Sequence, residues 1–144
     1  MTQRLKKHYL ILLMPALVLF GALGAAQALG MTVPGQFKVS GSIQSSIFVL
    51  ASVTAIAGPL LVRTLFAHSL RNQKTVEKEA FMRFQQRILN LGLATPYLAF
   101  MAVLYEFPKL FSAGIALMAL YAAYYYFPSE KRIQFDCRIF RVTP

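Results

Sequence analysis

The sequence predicts an all-α integral membrane protein, with four transmembrane helices in two antiparallel hairpins and a short strand-like tail at the C-terminus. Of the 144 residues, 57% are hydrophobic, and the mean hydropathy is +0.53, whereas a typical globular domain is about 45–50% apolar. Charged residues make up 14% and are clustered, so that long uncharged runs separate them. Such runs are typical of membrane spans, and the length predicts one membrane domain over residues 1–144.

Four apolar runs are long enough to cross a hydrocarbon core, at about residues 9–33, 44–68, 86–106 and 109–128. Between Lys38 and Arg63 lie 24 uncharged residues, which at about 1.5 Å per residue cross a core of about 30 Å. Gly58-Pro59 predicts a kink in this second span. The first run resembles a secretory signal peptide with "AQA" at 26–28 as its cleavage site, but it continues beyond that site, and we interpret it as a retained span.

The distribution of basic residues predicts the orientation of the spans. Thirteen of the 15 Lys and Arg residues lie in the N-terminus, between Arg63 and Arg87, or after Pro128. By the positive-inside rule, both termini and the loop over 69–85 are cytoplasmic, which predicts a multi-pass protein of the cell inner (plasma) membrane. The short turn "EFPK" at 106–109 joins the third and fourth spans into a hairpin.

A cluster of tyrosines lies near the cytoplasmic end of the fourth span, before the cytoplasmic tail over 129–144. Amphipathic aromatic rings favour the membrane–water interface. Tyr124, Tyr125 and Tyr126 therefore predict an anchoring belt at that end of the span, and a π-lined ligand site is the alternative.

The end of the central loop predicts an amphipathic helix that continues into the third span. Thr75 is its expected N-cap, Phe81 and Phe84 recur on one face, and Arg83 and Arg87 lie elsewhere on the turn. Two interpretations remain open: the helix binds a partner protein, or its arginines lie on lipid phosphates at the membrane interface.

Small residues recur at helical spacing in the first two spans. In the first span Gly21 and Ala25 are four residues apart, as are Ala26 and Gly30, and in the second span so are Ala51 and Ala55. Helices in lipid associate through close packing at such residues, because burying apolar surface gains little there. The pattern predicts contacts between these two spans or between protein chains.

Few residues in the spans are suited to chemistry. No Asp, Glu, Lys or Arg lies clearly at mid-membrane, which disfavours a proton-coupled carrier, and both histidines are peripheral, which disfavours a hydrolase. His8 and His68 are expected near the cytoplasmic face, where together they could bind haem b, or where His68 and Arg63 could form a quinone site. The single cysteine, Cys137, rules out a disulfide within the chain.

The tail segment "KRIQFDCRIF" alternates apolar and polar residues, as a half-buried β-strand does. Ile133, Phe135, Cys137 and Ile139 would share its covered face. A single strand is not stable alone, and its own chain offers a partner only if the start of the central loop supplies one. The pattern predicts pairing with a second copy or with the sheet edge of another protein, and an interfacial coil is the alternative.

These features predict a non-catalytic accessory or scaffold subunit of a larger inner-membrane complex, which binds other subunits or a second copy through Phe81, Phe84 and the tail. The net charge of +10 is expected to attract anionic lipid rather than nucleic acid, and bound lipid is expected. One alternative is a protomer of a small oligomeric channel or carrier, with Ser52 and Thr54 along its path. The other is a membrane redox subunit that binds haem b or quinone.

Overall fold

The computed structural model describes residues 2–31, 39–71 and 75–142, which fold into seven α-helices and one π-helical segment. In chain order they are α1 (Thr2–Ala28), α2 (Gly41–Ser52), the π segment (Val53–Ala57), α3 (Gly58–Ser69), α4 (Lys78–Gly92), α5 (Thr95–Leu104), α6 (Lys109–Tyr125) and α7 (Glu130–Ile139). These three ranges contain no strand, so the all-α prediction is confirmed for them.

Three helical stretches are long and apolar enough to cross a membrane: Thr2–Ala28, Gly41–Ser69 and Lys78–Leu104. The fourth predicted span corresponds to α6, which has 17 residues and is followed by α7 across a bend of 76°. At about 1.5 Å per residue, α6 is about 25 Å long, near the lower limit for a span. The described residues therefore contain three or four helices that can span a membrane.

The second span is interrupted where Gly58-Pro59 predicts a kink, and the interruption is the π segment between α2 and α3. Pro59 has no N–H to donate, so the carbonyl of Ala55, four residues earlier, loses its usual helical partner. The hydroxyl of Tyr126, at the end of α6, donates to this carbonyl at 2.7 Å. An apolar helix tolerates proline where a neighbouring helix satisfies the freed group in this way.

Two further tyrosines donate to carbonyls beside helix irregularities. Pro15 lies inside α1, and the hydroxyl of Tyr97 donates to the carbonyl of Leu12, three residues before that proline. At the end of α6 the last carbonyls lack helical partners, and the hydroxyl of Tyr9 donates to the carbonyl of Ala123 at 2.7 Å. These bonds hold α1 against α5 and α6.

The helices do not pack as two hairpins that follow each other along the sequence. α5 and α6 form a closely packed pair, which agrees with the turn predicted at 106–109. α1 packs mainly on α4 and α5, whereas α2 packs mainly on α6 and α5. The first two spans therefore make their main contacts with the third and fourth, and the predicted hairpin between them is not the main packing of either.

The interior contains two apolar clusters. We call the first the basic-end core, because it joins the N-terminus of α1, the start of α4 and α7; its buried residues are Leu5, Tyr9, Val76, Phe81, Phe84, Leu89, Leu93 and Ile133. We call the second the far core; its buried residues are Ala51, Ala99, Ala102, Phe107, Ile115 and Ala119. Large side chains fill the first cluster, and alanines make up most of the second.

The strand prediction for the tail is wrong, because Glu130–Ile139 form α7. The side chain of Ser129 caps this helix by accepting a hydrogen bond from the backbone N–H of Arg132. A lone strand would leave its backbone groups unpaired, whereas a helix satisfies its own. Ile133 and Cys137, four residues apart, then share the face that packs on the basic-end core.

The residues after α7 contact the start of the central loop. Arg141 has a φ of 50°, and the N–H of Val142 bonds to the carbonyl of Cys137, which closes the helix. Val142 and Val76 then form one parallel β-bridge. The central loop is therefore the partner of the tail within the chain, over a single residue pair rather than along a strand.

Two helix ends differ from their sequence-based assignments. α4 begins at Lys78 with Glu77 at the N-cap position, so the assignment of Thr75 as the cap is wrong by two residues. Gly30, assigned by spacing to contacts between helices, ends α1 with a φ of 73°. This is the left-handed conformation that glycine adopts at helix C-termini without steric cost.

Candidate functional site

A cavity of about 320 Å³ lies at the basic end, between α3, α4, α6 and α7. Apolar and aromatic side chains form most of its wall, and a few charged or polar side chains converge on one side, as in typical ligand pockets. Its lining residues are Ile56, Pro59, Leu60, Arg63, Gln85, Ile88, Leu89, Tyr121, Tyr125, Tyr126, Phe127, Pro128, Arg132, Ile133, Phe135 and Asp136.

Asp136 connects three helices on the polar side of the cavity. Its Oδ1 accepts a hydrogen bond from Nη2 of Arg63 at 3.0 Å, and its Oδ2 accepts one from Nε2 of Gln85 at 3.0 Å. The Asp136 side chain is only 18% exposed, so water screens these charge-assisted bonds less than it screens a surface ion pair. The network holds α7 over the cavity, against α3 and α4.

Arg132 brings a positive charge that forms no ion pair with a carboxylate of the described residues. Its guanidinium carbon lies 4.7 Å from the centre of the Tyr125 ring, a cation–π contact, and Tyr125 itself stacks on Tyr121 at 5.1 Å. A guanidinium that rests on a ring face can still donate hydrogen bonds from its edge. The cavity therefore presents donors for an anion.

Tyr126 closes the cavity toward the interior of the bundle. Its ring lies against Gly92 of α4, and a Cβ on Gly92 would approach the ring to 2.4 Å, so only glycine leaves room for it. The sequence places Tyr126 in an interfacial belt with Tyr124 and Tyr125. Tyr124 is 81% exposed and Tyr125 is 41% exposed, but Tyr126 turns inward to donate its hydrogen bond.

The residues predicted to bind a partner divide between the interior and the surface. Phe81, Phe84 and Ile133 lie in the basic-end core and are at most 5% exposed. Phe135 and Ile139 are not part of the basic-end core and are 62% and 50% exposed. In the predicted strand, Ile133, Phe135 and Ile139 share one face, whereas in α7 only Ile133 is buried.

Cys137 lies on the inner side of α7, against the basic-end core. Burial and the neighbouring Asp136 raise the pKa of its thiol above the usual value, and Lys78 opposes this shift in part. The thiol is therefore protonated near neutral pH. Within ranges 2–31, 39–71 and 75–142, no group of three His, Cys, Asp or Glu residues is arranged to hold a metal ion.

The two histidines are in different environments. Nε2 of His8 on α1 hydrogen-bonds Oδ1 of Asn90 on α4 at 2.8 Å, whereas His68 is exposed at the end of α3. Arg63, which the quinone alternative combines with His68, forms an ion pair with Asp136. His8 therefore joins two helices through Nε2, one of its two ring nitrogens.

Exposed arginines line the surface near the start of α1. Arg83 and Arg87 are exposed on α4. Arg83 also lines an open cavity of about 670 Å³, together with Arg4, Lys78 and Glu79 among others. This basic surface suits the predicted contact with lipid phosphates at the membrane interface.

The small residues of the first two spans differ in exposure. Ala51 and Ala55 are fully buried. Gly21 and Ala25 are exposed on α1, and no atom lies within 4 Å of the position that a Cβ on Gly21 would take. Leu23, on the opposite face, is buried, so one face of α1 packs on the bundle and the other is uncovered.

The hydroxyls of the second span are used within the bundle. Ser52 donates to the carbonyl of Phe48 at 3.0 Å, and the Thr54 and Thr95 hydroxyls lie 3.1 Å apart. These contacts explain how polar side chains are accommodated in an apolar helix.

Four side chains that form the site carry no local sequence signal: Gln85, Arg132, Asp136 and the inward-turned Tyr126. The one available clue is that Asp136 is the single aspartate of a very basic chain. No family model, curated protein or solved structure matches the chain. Its function therefore has to be derived from the cavity, the helix surfaces and their charges.

Proposed function

We propose that the chain is a four-span protein of the cell inner membrane, with both termini in the cytoplasm, that acts as a non-catalytic accessory subunit of a larger membrane complex. The observation that carries this proposal is the uncovered face of α1. Gly21 and Gly24 have no atom within 4 Å of a Cβ position, and Ala25 is exposed beside them. In lipid, such small-residue faces allow another helix to approach closely.

The location of the basic segments supports the proposed orientation. The N-terminus of α1, the start of α4 and α7 share the basic-end core, and these segments contain most of the Lys and Arg residues. Basic residues collected at one end of an apolar bundle are typical of a cytoplasmic face.

The tail does not serve as a free docking arm in this proposal. Ile133 of α7 is 5% exposed in the basic-end core, and Asp136 binds both Arg63 and Gln85. Deleting residues 131–144 would disturb the fold, so the loss of a partner after that deletion would not locate a docking site. The docking surface is placed on α1 instead.

The test is quantitative identification of companions after gentle purification at native expression level. We expect Gly21→Leu and Ala25→Leu to release at least one polypeptide that co-purifies with the unchanged protein, because a larger side chain keeps the partner helix at a distance. Both positions are exposed, so the fold is expected to tolerate the changes.

Ala57→Leu is the matched control, because Ala57 is also an exposed alanine, but on the second span. It should retain every companion. Mass measurement in detergent identifies a second copy of the chain as the companion. If both α1 variants keep all companions, or if Ala57→Leu releases the same one, the proposal is refuted.

A further inference from the structure

We infer that the cavity at the basic end binds the headgroup of an anionic phospholipid, with its phosphate on Arg132 and an acyl chain along the apolar wall. The inference rests on the membrane placement proposed above and is independent of docking through α1. It assigns a ligand class and an orientation to a site that spans α3, α4, α6 and α7.

The charges of the cavity favour an anion. Asp136, its one carboxylate, already accepts hydrogen bonds from Arg63 and Gln85 through both oxygens. Arg132 has a ring face as its partner, at 4.7 Å from the Tyr125 centre. One positive charge therefore remains unbalanced in the cavity, and guanidinium N–H groups match phosphate oxygens in geometry.

The shape of the cavity favours an amphiphile over a small soluble anion. Ile56 and Leu60 form part of the apolar wall of the cavity, and their side chains are 51% and 63% exposed. Phe135, at 62% exposure, lines the same cavity from α7. An inorganic phosphate has no apolar part that could pack on this wall, whereas the acyl chain of a phospholipid would pack along it.

The position of the cavity selects membrane lipid as the source of the amphiphile. Its lining combines tyrosines and an arginine at the basic end with apolar residues farther along α3. The change from polar to apolar lining matches the change from phosphate to acyl chain along a phospholipid. Basic pockets between spans on the cytoplasmic side are known to bind anionic headgroups.

The test is native mass spectrometry of the delipidated full chain with phosphatidylglycerol and with phosphatidylcholine of the same acyl chains. We expect one phosphatidylglycerol to bind about tenfold more tightly than phosphatidylcholine, and Arg132→Gln to weaken phosphatidylglycerol binding by about tenfold, since a hydrogen-bonded ion pair is lost. Arg138→Gln is the matched control: it changes the net charge equally on an exposed residue of α7 that does not line the cavity.

A second pair of variants tests the acyl chain without changing charge. Leu60→Trp should fill the apolar wall and weaken phosphatidylglycerol binding severalfold, whereas Leu61→Trp, at a similarly exposed neighbour outside the cavity, should not. Equal binding of the two lipids, or equal losses in variant and control, would overturn the inference. Displacement of the lipid by millimolar inorganic phosphate would overturn it as well, because the site would then be one for a free anion.

Discussion

The basic-end core and the far core are built from different helices and are held together by side chains of different size. At the basic end, four phenyl rings from α3, α4 and the end of α7 form one cluster, in which Phe66 and Phe84 stack at 4.0 Å; its members are Phe66, Phe81, Phe84 and Phe140. In the far core, fully or nearly buried alanines let α2, α5 and α6 approach closely. One end is held by large apolar groups and the other by small ones.

The two kinds of packing stabilise helices in different surroundings. Burial of large apolar side chains stabilises a fold where the alternative is exposure to water. In lipid that gain disappears, and close approach at small residues replaces it. The aromatic cluster also lies beside the Arg63–Asp136 ion pair. The contrast agrees with the proposed placement, in which the basic end faces water and the far half lies in lipid.

The largest expected effect is the loss of a ring from the basic-end core. Phe84 is 4% exposed, and Phe84→Ala should lower the free energy of unfolding by about 3–5 kcal/mol. Thermal unfolding in mild detergent measures this. Phe135→Ala, the same change at a ring that is 62% exposed, should have a much smaller effect, and equal losses would show that the cluster does not hold this end together.

The far core should respond to added volume instead. Ala102 has 0% exposure, and Ala102→Leu should destabilise the bundle by about 1–3 kcal/mol, because the backbones of α5 and its neighbours must separate. Ala116→Leu, on the exposed side of α6, is the control in the same unfolding assay. A stable Ala102→Leu variant would contradict close packing at this end.

A smaller effect is expected at the boundary between the two cores. Gly92→Ala places a Cβ 2.4 Å from the Tyr126 ring, which displaces the ring and its bond to the Ala55 carbonyl. The cost is about 1 kcal/mol net, because alanine also favours the helix. Gly24→Ala, where a Cβ meets nothing within 4 Å, should be neutral or slightly stabilising, so equal melting temperatures in the two variants would rule out this contact.

The smallest effect concerns reactivity rather than stability. Because the raised pKa of Cys137 keeps its thiol protonated, alkylation by iodoacetamide at pH 8 should be slower in the folded protein than in urea, where the thiol titrates at its usual pKa. The folded rate should approach the unfolded rate only as the pH rises above the raised pKa. A folded protein that reacts as fast as the unfolded chain at pH 8 would place Cys137 outside the packed face.

Most of the helices can be predicted from the sequence, because a helix forms its backbone hydrogen bonds within one segment. Its formation therefore depends little on which other segments pack against it. The tail is different, since Ile133 and Cys137 fit both a period of two and a spacing of four. The helix is favoured over the strand by the cap at Ser129 and by the packing of Ile133 and Cys137 on the basic-end core.

The cavity could not be predicted because its contacts join distant parts of the chain. Arg63 and Asp136 are 73 positions apart, and their contact depends on the 76° bend between α6 and α7. The inward turn of Tyr126 depends on the carbonyl that Pro59 frees and on the space at Gly92. Such pairings follow from the packing order, which the spacing of small residues does not specify.

The most direct test of the proposed four-span architecture is labelling of single cysteines with a membrane-impermeant maleimide in intact cells, in a Cys137→Ala background. Glu106 and Glu130 are both exposed and lie at opposite ends of α6. We predict that Glu106→Cys reacts in intact cells, and that Glu130→Cys reacts only after permeabilisation. Labelling of both on the same side would show that α6 does not cross the membrane, and the reverse pattern would show that the basic end faces outward.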